Sequence, residues 1–400
     1  MRAAGRLTPR LPRRWVVADM DSTLMRKELG VNGALDDSPC REPLFEWLKL
    51  GGNLCVVTSD DGFRPFTQLW EQIPAELRAD GRVAISTSDG AALFRGGPAG
   101  EVLEDEAYWA FSKGGITHSI DELMHIARDM VLAFFTDCFT DRSLLESLDE
   151  RRAAAYRAVL DSIVGAADPG AALEAALPMS RLLEPGGITP RGTMLWRNQA
   201  GPIDQWKRTA GVKSLLASLA DTHPQARYTN LFLMGFPRSV SARYIARFKP
   251  RLAALGYEAS AAPNTVCLKN STATKALPVK WLAGLTADVN PELSLAHAVA
   301  FGDNPTGNDQ PLTLFVDQGM PFVSVASRAA LAQQALPPAL VNLHVGGLEH
   351  GSAAVLSRLV ENWRAAGEDA SWRPSDVLEM VCGAAREGQA HAAESQPSQL

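Results

Sequence analysis

Asp19 and Asp21, in the string Asp19-Met20-Asp21-Ser22-Thr23, stand two residues apart, so in an extended loop both carboxylates can address one site. One carboxylate so placed can attack phosphorus, while the other, kept protonated, donates to the leaving oxygen and later activates water. A second acidic string, Gly302-Asp303-Asn304-Pro305-Thr306-Gly307-Asn308-Asp309, lies far along the chain. Carboxylates that converge from separate loops are what a hard, oxygen-seeking cation such as Mg²⁺ requires. Taken singly, each string is also an ordinary turn: an Asp capping backbone donors, and an Asn-Pro-Thr-Gly reversal.

The elements that must carry these strings are legible as apolar runs. Trp15-Val16-Val17-Ala18 ends at Asp19, and Leu54-Cys55-Val56-Val57 ends at Thr58, with helical spacing over residues 42–50 between them. Short β-rich runs alternating with helices predict parallel strands buried on both faces. The same grammar returns at residues 297–301, 321–325 and 341–345, which predicts one α/β fold, a doubly wound Rossmann-like sheet, in two sequence segments. Ligands of such sheets bind beyond the carboxyl ends of the strands, where both acidic strings fall. The intervening stretch changes to longer helices, residues 142–164 most clearly, with strand candidates at 193–197 and 230–234. It reads as an inserted α/β domain. The expected division is a core at 15–90 and 265–365, an insertion at 91–264, and a flexible tail at 366–400 rich in Ala, Glu, Gln and Ser.

In that order, Asp19-Met20-Asp21-Ser22-Thr23, Thr58 after a strand, a lysine ahead of a helix, and Gly302-Asp303 with Asn308-Asp309 resemble the four motifs of haloacid dehalogenase-type phosphatases. Only 38 residues separate Asp19 from Thr58, too few for a helical cap there, so the cap is expected late, as in the C2 type. Ser88-Asp89-Gly90-Ala91, after residues 83–87, resembles the turn that precedes the cap in the C2 group, which includes sugar-phosphate phosphatases and phosphomannomutase.

The resemblance implies that Asp19 is nucleophile and metal ligand, and that Asp21 is general acid and base with its backbone carbonyl on the metal. Asp303 is implied as a further ligand, and Asn308 and Asp309 as residues completing the Mg²⁺ shell. Thr58 is implied to hydrogen-bond the phosphoryl group, and a lysine to neutralise charge. Lys275 and Lys280 both compete for the lysine role; Lys275 is preferred because a helix amino terminus faces the phosphate in this family. Two departures stand out. Asn308 follows Asp303 by five residues where the common pattern has three, and Ser59-Asp60-Asp61 after Thr58 adds negative charge where Gly-Arg is usual.

The net charge of −6 gives no overall reason to bind nucleic acid, and no apolar run is long enough to cross a membrane. Five scattered cysteines, an odd number without CxxC spacing, read as reduced and structural. Arg2, Arg6, Arg10, Arg13 and Arg14 read as a short solvated arm more readily than as a targeting segment. Arg238, Arg243, Arg247 and Arg251, with Arg191 and Arg197, read first as solvated side chains and second as contacts for another anionic group. His344 and His350 receive no role, and tryptophans such as Trp47, Trp196, Trp206 and Trp281 read as core. The expected function is a cytoplasmic, Mg²⁺-dependent phosphomonoester hydrolase acting on a small phosphorylated metabolite, such as a sugar phosphate, through an aspartyl phosphate. Its rivals are a sugar phosphomutase and a phospholigand-binding module without turnover. The sequence leaves oligomeric state open.

Overall fold

The structure is a computed structural model that describes residues 13–28, 31–60, 64–112, 120–146, 148–178, 195–197, 230–234, 236, 238–262, 265–286, 291–332, 343–367, 369 and 371–378. The chain divides into two compact units, Met1–Trp109 with Thr274–Leu400, and Ala110–Ala273.

The first unit is built on a seven-stranded sheet. Its strands are β1 (Trp15–Ala18), β2 (Asn53–Val57), β3 (Val83–Thr87), β4 (Ala92–Gly96), β5 (Val102–Glu104), β6 (Ala298–Gly302) and β7 (Phe322–Ser324), in spatial order β7-β6-β1-β2-β3-β4-β5. The five strands from β7 to β3 are parallel, while β4 and β5 add on as antiparallel neighbours. Every residue of β1, β2, β3, β6 and β7 is buried, as continuous Val, Leu, Ile and Ala runs require of strands covered on both faces. The chain moves outward from β1 through α1 (Arg41–Lys49) to β2, and later from β6 to β7 in the opposite direction. With right-handed crossovers, this reversal puts the connections on opposite faces and makes β1/β6 the switch point, so the doubly wound α/β expectation holds. α1 buries Leu44, Phe45, Trp47 and Leu48; after α2 (Ala276–Leu282) in the chain comes α3 (Glu349–Ala366), against which α1 packs.

The second unit pairs an antiparallel sheet, in order 257–262, 265–270, 230–234 and 195–197, with helices Ile120–Thr140, Glu150–Ser162 and Arg238–Ala254. Phe134, Phe135, Tyr156, Phe236 and Tyr244 fill its core. Arg243 and Arg251 are exposed and pair with Asp137 at 2.6 Å and Asp129 at 2.7 Å within this unit, in keeping with a solvated helix face. Arg191 and Trp206 lie outside the described residues.

Several borders differ from the sequence expectation. β4 and β5, assigned to the insertion at 91–264, hydrogen-bond into the core sheet, while residues 265–270, assigned to the core, belong to the antiparallel sheet. The helix expected over 142–164 starts only at Glu150, because Asp149 caps it by accepting from Arg152 N–H at 3.0 Å, and a 3₁₀ turn, Arg142–Leu145, precedes it. Of the strand expected at 341–345, residues 341 and 342 lie outside the described residues, and His344 makes one isolated bridge to Ser324. Of the tail expected at 366–400, residues 379–400 lie outside the described residues, while Trp372, Val377 and Leu378 are buried. Arg14 is likewise buried instead of solvated, its guanidinium 4.5 Å from the Trp363 ring and donating to the Asp369 carbonyl at 2.6 Å. Cys40, Cys55, Cys138 and Cys267 are buried free thiols; Cys382 lies outside the described residues. Among the described residues no helix is long and apolar enough to cross a membrane.

Candidate active site

Parallel pairing aligns the ends of β6, β1, β2 and β3: Ala18 stands beside Phe301 and Val56, and Val57 beside Ser86. Asp303, Asp19, Thr58 and Ser88 therefore leave the sheet at one edge. Asp19 follows β1 directly, and its amide donates to the Phe301 carbonyl at 3.1 Å, which extends the ladder into the loop. The loop then closes on itself through Ser22, left-handed at φ 58°, whose amide donates to Met25 O at 2.7 Å.

Lys275 stands at the N-cap of α2, only 1% exposed, and its Nζ lies 2.8 Å from Asp19 Oδ1 and 2.7 Å from Asp309 Oδ1. Asp19 Oδ1 also accepts from the Met20 amide at 2.8 Å, so among the described residues Oδ2 is left for other partners. Asp309 is fully buried, and its Oδ2 accepts from the Asn304 amide at 2.9 Å. Asp19, Asp303 and Asp309 each place an oxygen within 4.8 Å of the others. Asn308, expected to complete the Mg²⁺ shell, is exposed, whereas Asp309 beside it is buried, in a turn closed by Gly307 N–H and Asp309 N–H on Asn304 O.

Electrostatics follow from this crowding. Burial, then Asp309, pushes the Asp303 carboxyl up to about 7. Burial raises Asp19 well above the usual carboxylate range, with Lys275 opposing and Asp309 and Asp303 adding to the rise. Burial works against the Lys275 ammonium, but Asp19, Asp309 and Asp89 outweigh it and raise its pKa. Three converging carboxylates against one ammonium, with oxygen donors alone, fit a hard divalent cation.

Thr58 is buried; its Oγ1 accepts from the Asp60 amide at 3.1 Å, which leaves the hydroxyl hydrogen to donate. The Thr58 carbonyl accepts from the Asp89 amide at 3.0 Å, and the Asp60 carbonyl from the Ser88 amide at 2.9 Å. Ser88 and Asp89 are both left-handed, at φ 53° and 56°, and both buried.

Asp21 is held by other cations than Lys275. Arg64 grips it with Nη2 to Oδ1 at 2.7 Å and Nη1 to Oδ2 at 3.2 Å, and Lys27 adds Nζ to Oδ2 at 2.5 Å. Burial alone would raise the Asp21 pKa, but the Arg64 hydrogen bonds and Lys27 lower it on balance. Arg64 was not singled out from the sequence, where its i,i+4 spacing of opposite charge points only to Asp60, not to Asp21.

No protein-family model and no curated protein matches the chain. Among solved structures, the chain is similar to an N-terminally truncated IMP-nucleotidase of Plasmodium falciparum, at 10% identity over 80% of this chain and 69% of that one, with a TM-score of 0.40. It is also similar to a haloacid dehalogenase-like hydrolase from B. subtilis, at 15% identity over 86% of this chain and 99% of that one, with a TM-score of 0.41. Likeness at this level says nothing of substrate or chemistry.

Proposed function

We propose that the chain is a haloacid dehalogenase-type phosphomonoester hydrolase that works through an aspartyl phosphate on Asp19, acts on a small phosphorylated metabolite and depends on Mg²⁺. The observation that carries this reading is the placement of Lys275 Nζ on Asp19 Oδ1 at 2.8 Å, inside a cluster completed by Asp303 and Asp309. A carboxylate held by one oxygen keeps the other for in-line attack on phosphorus.

Asp19 Oδ2 attacks phosphorus, the bond from phosphorus to the leaving oxygen breaks, and that oxygen takes a proton from Asp21, which enters this step as its minor, protonated form because Arg64 and Lys27 favour the ionised one. In the second step a water gives its proton to Asp21 and its oxygen to phosphorus, and the Asp19 oxygen–phosphorus bond breaks. Thr58 donates its hydroxyl, and Lys275 its positive charge, to the phosphoryl oxygens and the attacking carboxylate. Asp19, Asp303 and the Asp21 carbonyl would hold Mg²⁺, with Asp309 supporting from behind through Lys275. Bound there, the ion supplies charge stabilisation that the carboxylate-rich pocket lacks.

The test is phosphate release from p-nitrophenyl phosphate and a panel of phosphorylated sugars and nucleotides, with and without Mg²⁺, for wild type beside Asp19→Asn. Metal-dependent release absent from the variant is the expected result. Release that survives in Asp19→Asn would overturn the nucleophile assignment.

A further inference from the structure

We infer that Arg64 is a positioning residue that aims Asp21, with Asp60 as its counter-anchor; the inference rests on the phosphatase reading above. The Arg64 side chain is 15% exposed, and each part of its guanidinium has an acceptor. Nη2 and Nη1 take the two Asp21 oxygens at 2.7 and 3.2 Å, Nη1 also takes Asp60 Oδ2 at 2.6 Å, and Nε takes Gln68 Oε1 at 3.0 Å. A planar fork satisfied on both prongs fixes a carboxylate in position and in plane, which a lysine cannot do.

The count of lone pairs gives the clamp a direction. An ionised carboxylate offers about four acceptor positions. Arg64 takes one on each Asp21 oxygen and Lys27 takes the second on Oδ2, so the position that remains is on Oδ1. Arg64 and Lys27 together therefore leave Oδ1 as the Asp21 oxygen that can exchange a proton with leaving group or water. Asp60 ties the clamp to the Thr58 loop, since its own amide donates to Thr58 Oγ1 at 3.1 Å. Asp60, whose negative charge is one of the sequence's departures from the family pattern, is thus the anchor that holds Arg64 across from Asp21.

Loss of Asp21 alignment should be felt where the leaving oxygen needs a proton and little where it does not. The experiment compares glucose 6-phosphate, or the best alkyl phosphate of the panel, with p-nitrophenyl phosphate in wild type, Arg64→Ala, Asp60→Asn and Asp21→Asn. Arg64→Ala should lose kcat on the alkyl ester on the order of 10²-fold with KM little changed, and under about tenfold on p-nitrophenyl phosphate. Asp60→Asn, which keeps side-chain shape, should show the same selectivity at smaller amplitude, and Arg64→Ala should add little to Asp21→Asn. Equal losses on both esters, or additive losses in the double variant, would overturn the inference while leaving the phosphatase reading intact. Absence of Asp19-dependent release in the wild type overturns that reading instead.

Discussion

Lys275 Nζ lies 2.8 Å from Asp19 Oδ1, which joins the first loop of the core to the residue that re-enters the core after the second unit. The pair is buried, and Asp309 at 2.7 Å makes it a triad with more negative than positive charge. Removing the lysine leaves two carboxylates buried without a cation. Lys275→Met should therefore cost about 3–5 kcal/mol of stability, the range for breaking a buried pair by deleting one partner. Urea unfolding checks this, and Mg²⁺ should restore more stability to the variant than to wild type. An unchanged midpoint would mean that the pair is solvated in solution.

Proton and metal compete for the same cluster. Burial and Asp309 push Asp303 up to about 7, against roughly 3.9 in an unfolded chain. Between those values the folded state holds a proton that the unfolded state has released, so metal-free stability falls as pH rises from about 4 towards 7. Mg²⁺ binds the ionised form, and its stabilising effect grows over the same interval. Thermal unfolding at pH 5 and pH 7.5, each with and without Mg²⁺, should show the larger increase in Tm at pH 7.5. Equal increments would argue against ionisation of these carboxylates as the linked event.

Gly90 has a different kind of constraint. An added Cβ would stand 2.1 Å from the Thr274 carbonyl oxygen, in a residue whose φ is +96°. Gly51 shares the conformation, at φ +93°, with nothing within 4 Å of an added Cβ. Gly51→Ala should thus cost only the left-handed backbone term, roughly 1–2 kcal/mol. Gly90→Ala should cost clearly more, and because Thr274 precedes Lys275, it should also lower kcat. Parallel urea unfolding and phosphate-release assays separate the two. Equal destabilisation would show that the Thr274 backbone yields freely.

What the sequence made legible was governed by local pattern. Val83–Thr87 and Asn230–Met234 are strands over the residues expected, because an uninterrupted apolar run has one comfortable conformation at that length. Asp19 and Asp303 could be singled out because acidic residues directly after buried strands sit at a common sheet edge, while Asp309 came from the family resemblance. The misses are non-local. β4 falls within the expected insertion, and its Arg95 pairs with Asp105 at 2.9 Å and, far along the chain, with Glu292 at 2.5 Å. Asn308 and Asp309 are adjacent and equally polar, and only the turn on Asn304 decides which one faces in. Arg64 reaches Asp21 across two loops, a contact that no spacing along the chain encodes.

The segment beyond α3 shows the same effect in an apolar setting. Trp372 stacks on Trp363 with centroids 5.6 Å apart and planes at 17°, and Trp363 meets Trp47 edge-on at 4.8 Å. Arg14 lies over both Trp363 and Trp372, at 4.5 and 5.2 Å. The aromatic payload comes from one tryptophan in a polar stretch, too sparse to register as periodicity, yet it covers α1 and α3 together. Trp372→Ala should cost about 3–5 kcal/mol, as for other large aromatics removed from a core. The variant should also shift tryptophan emission to the red as Trp363 and Trp47 meet water. A loss below about 1 kcal/mol, within the range of surface substitutions, would mean that this segment detaches in solution and that Arg14 finds its charge partner elsewhere.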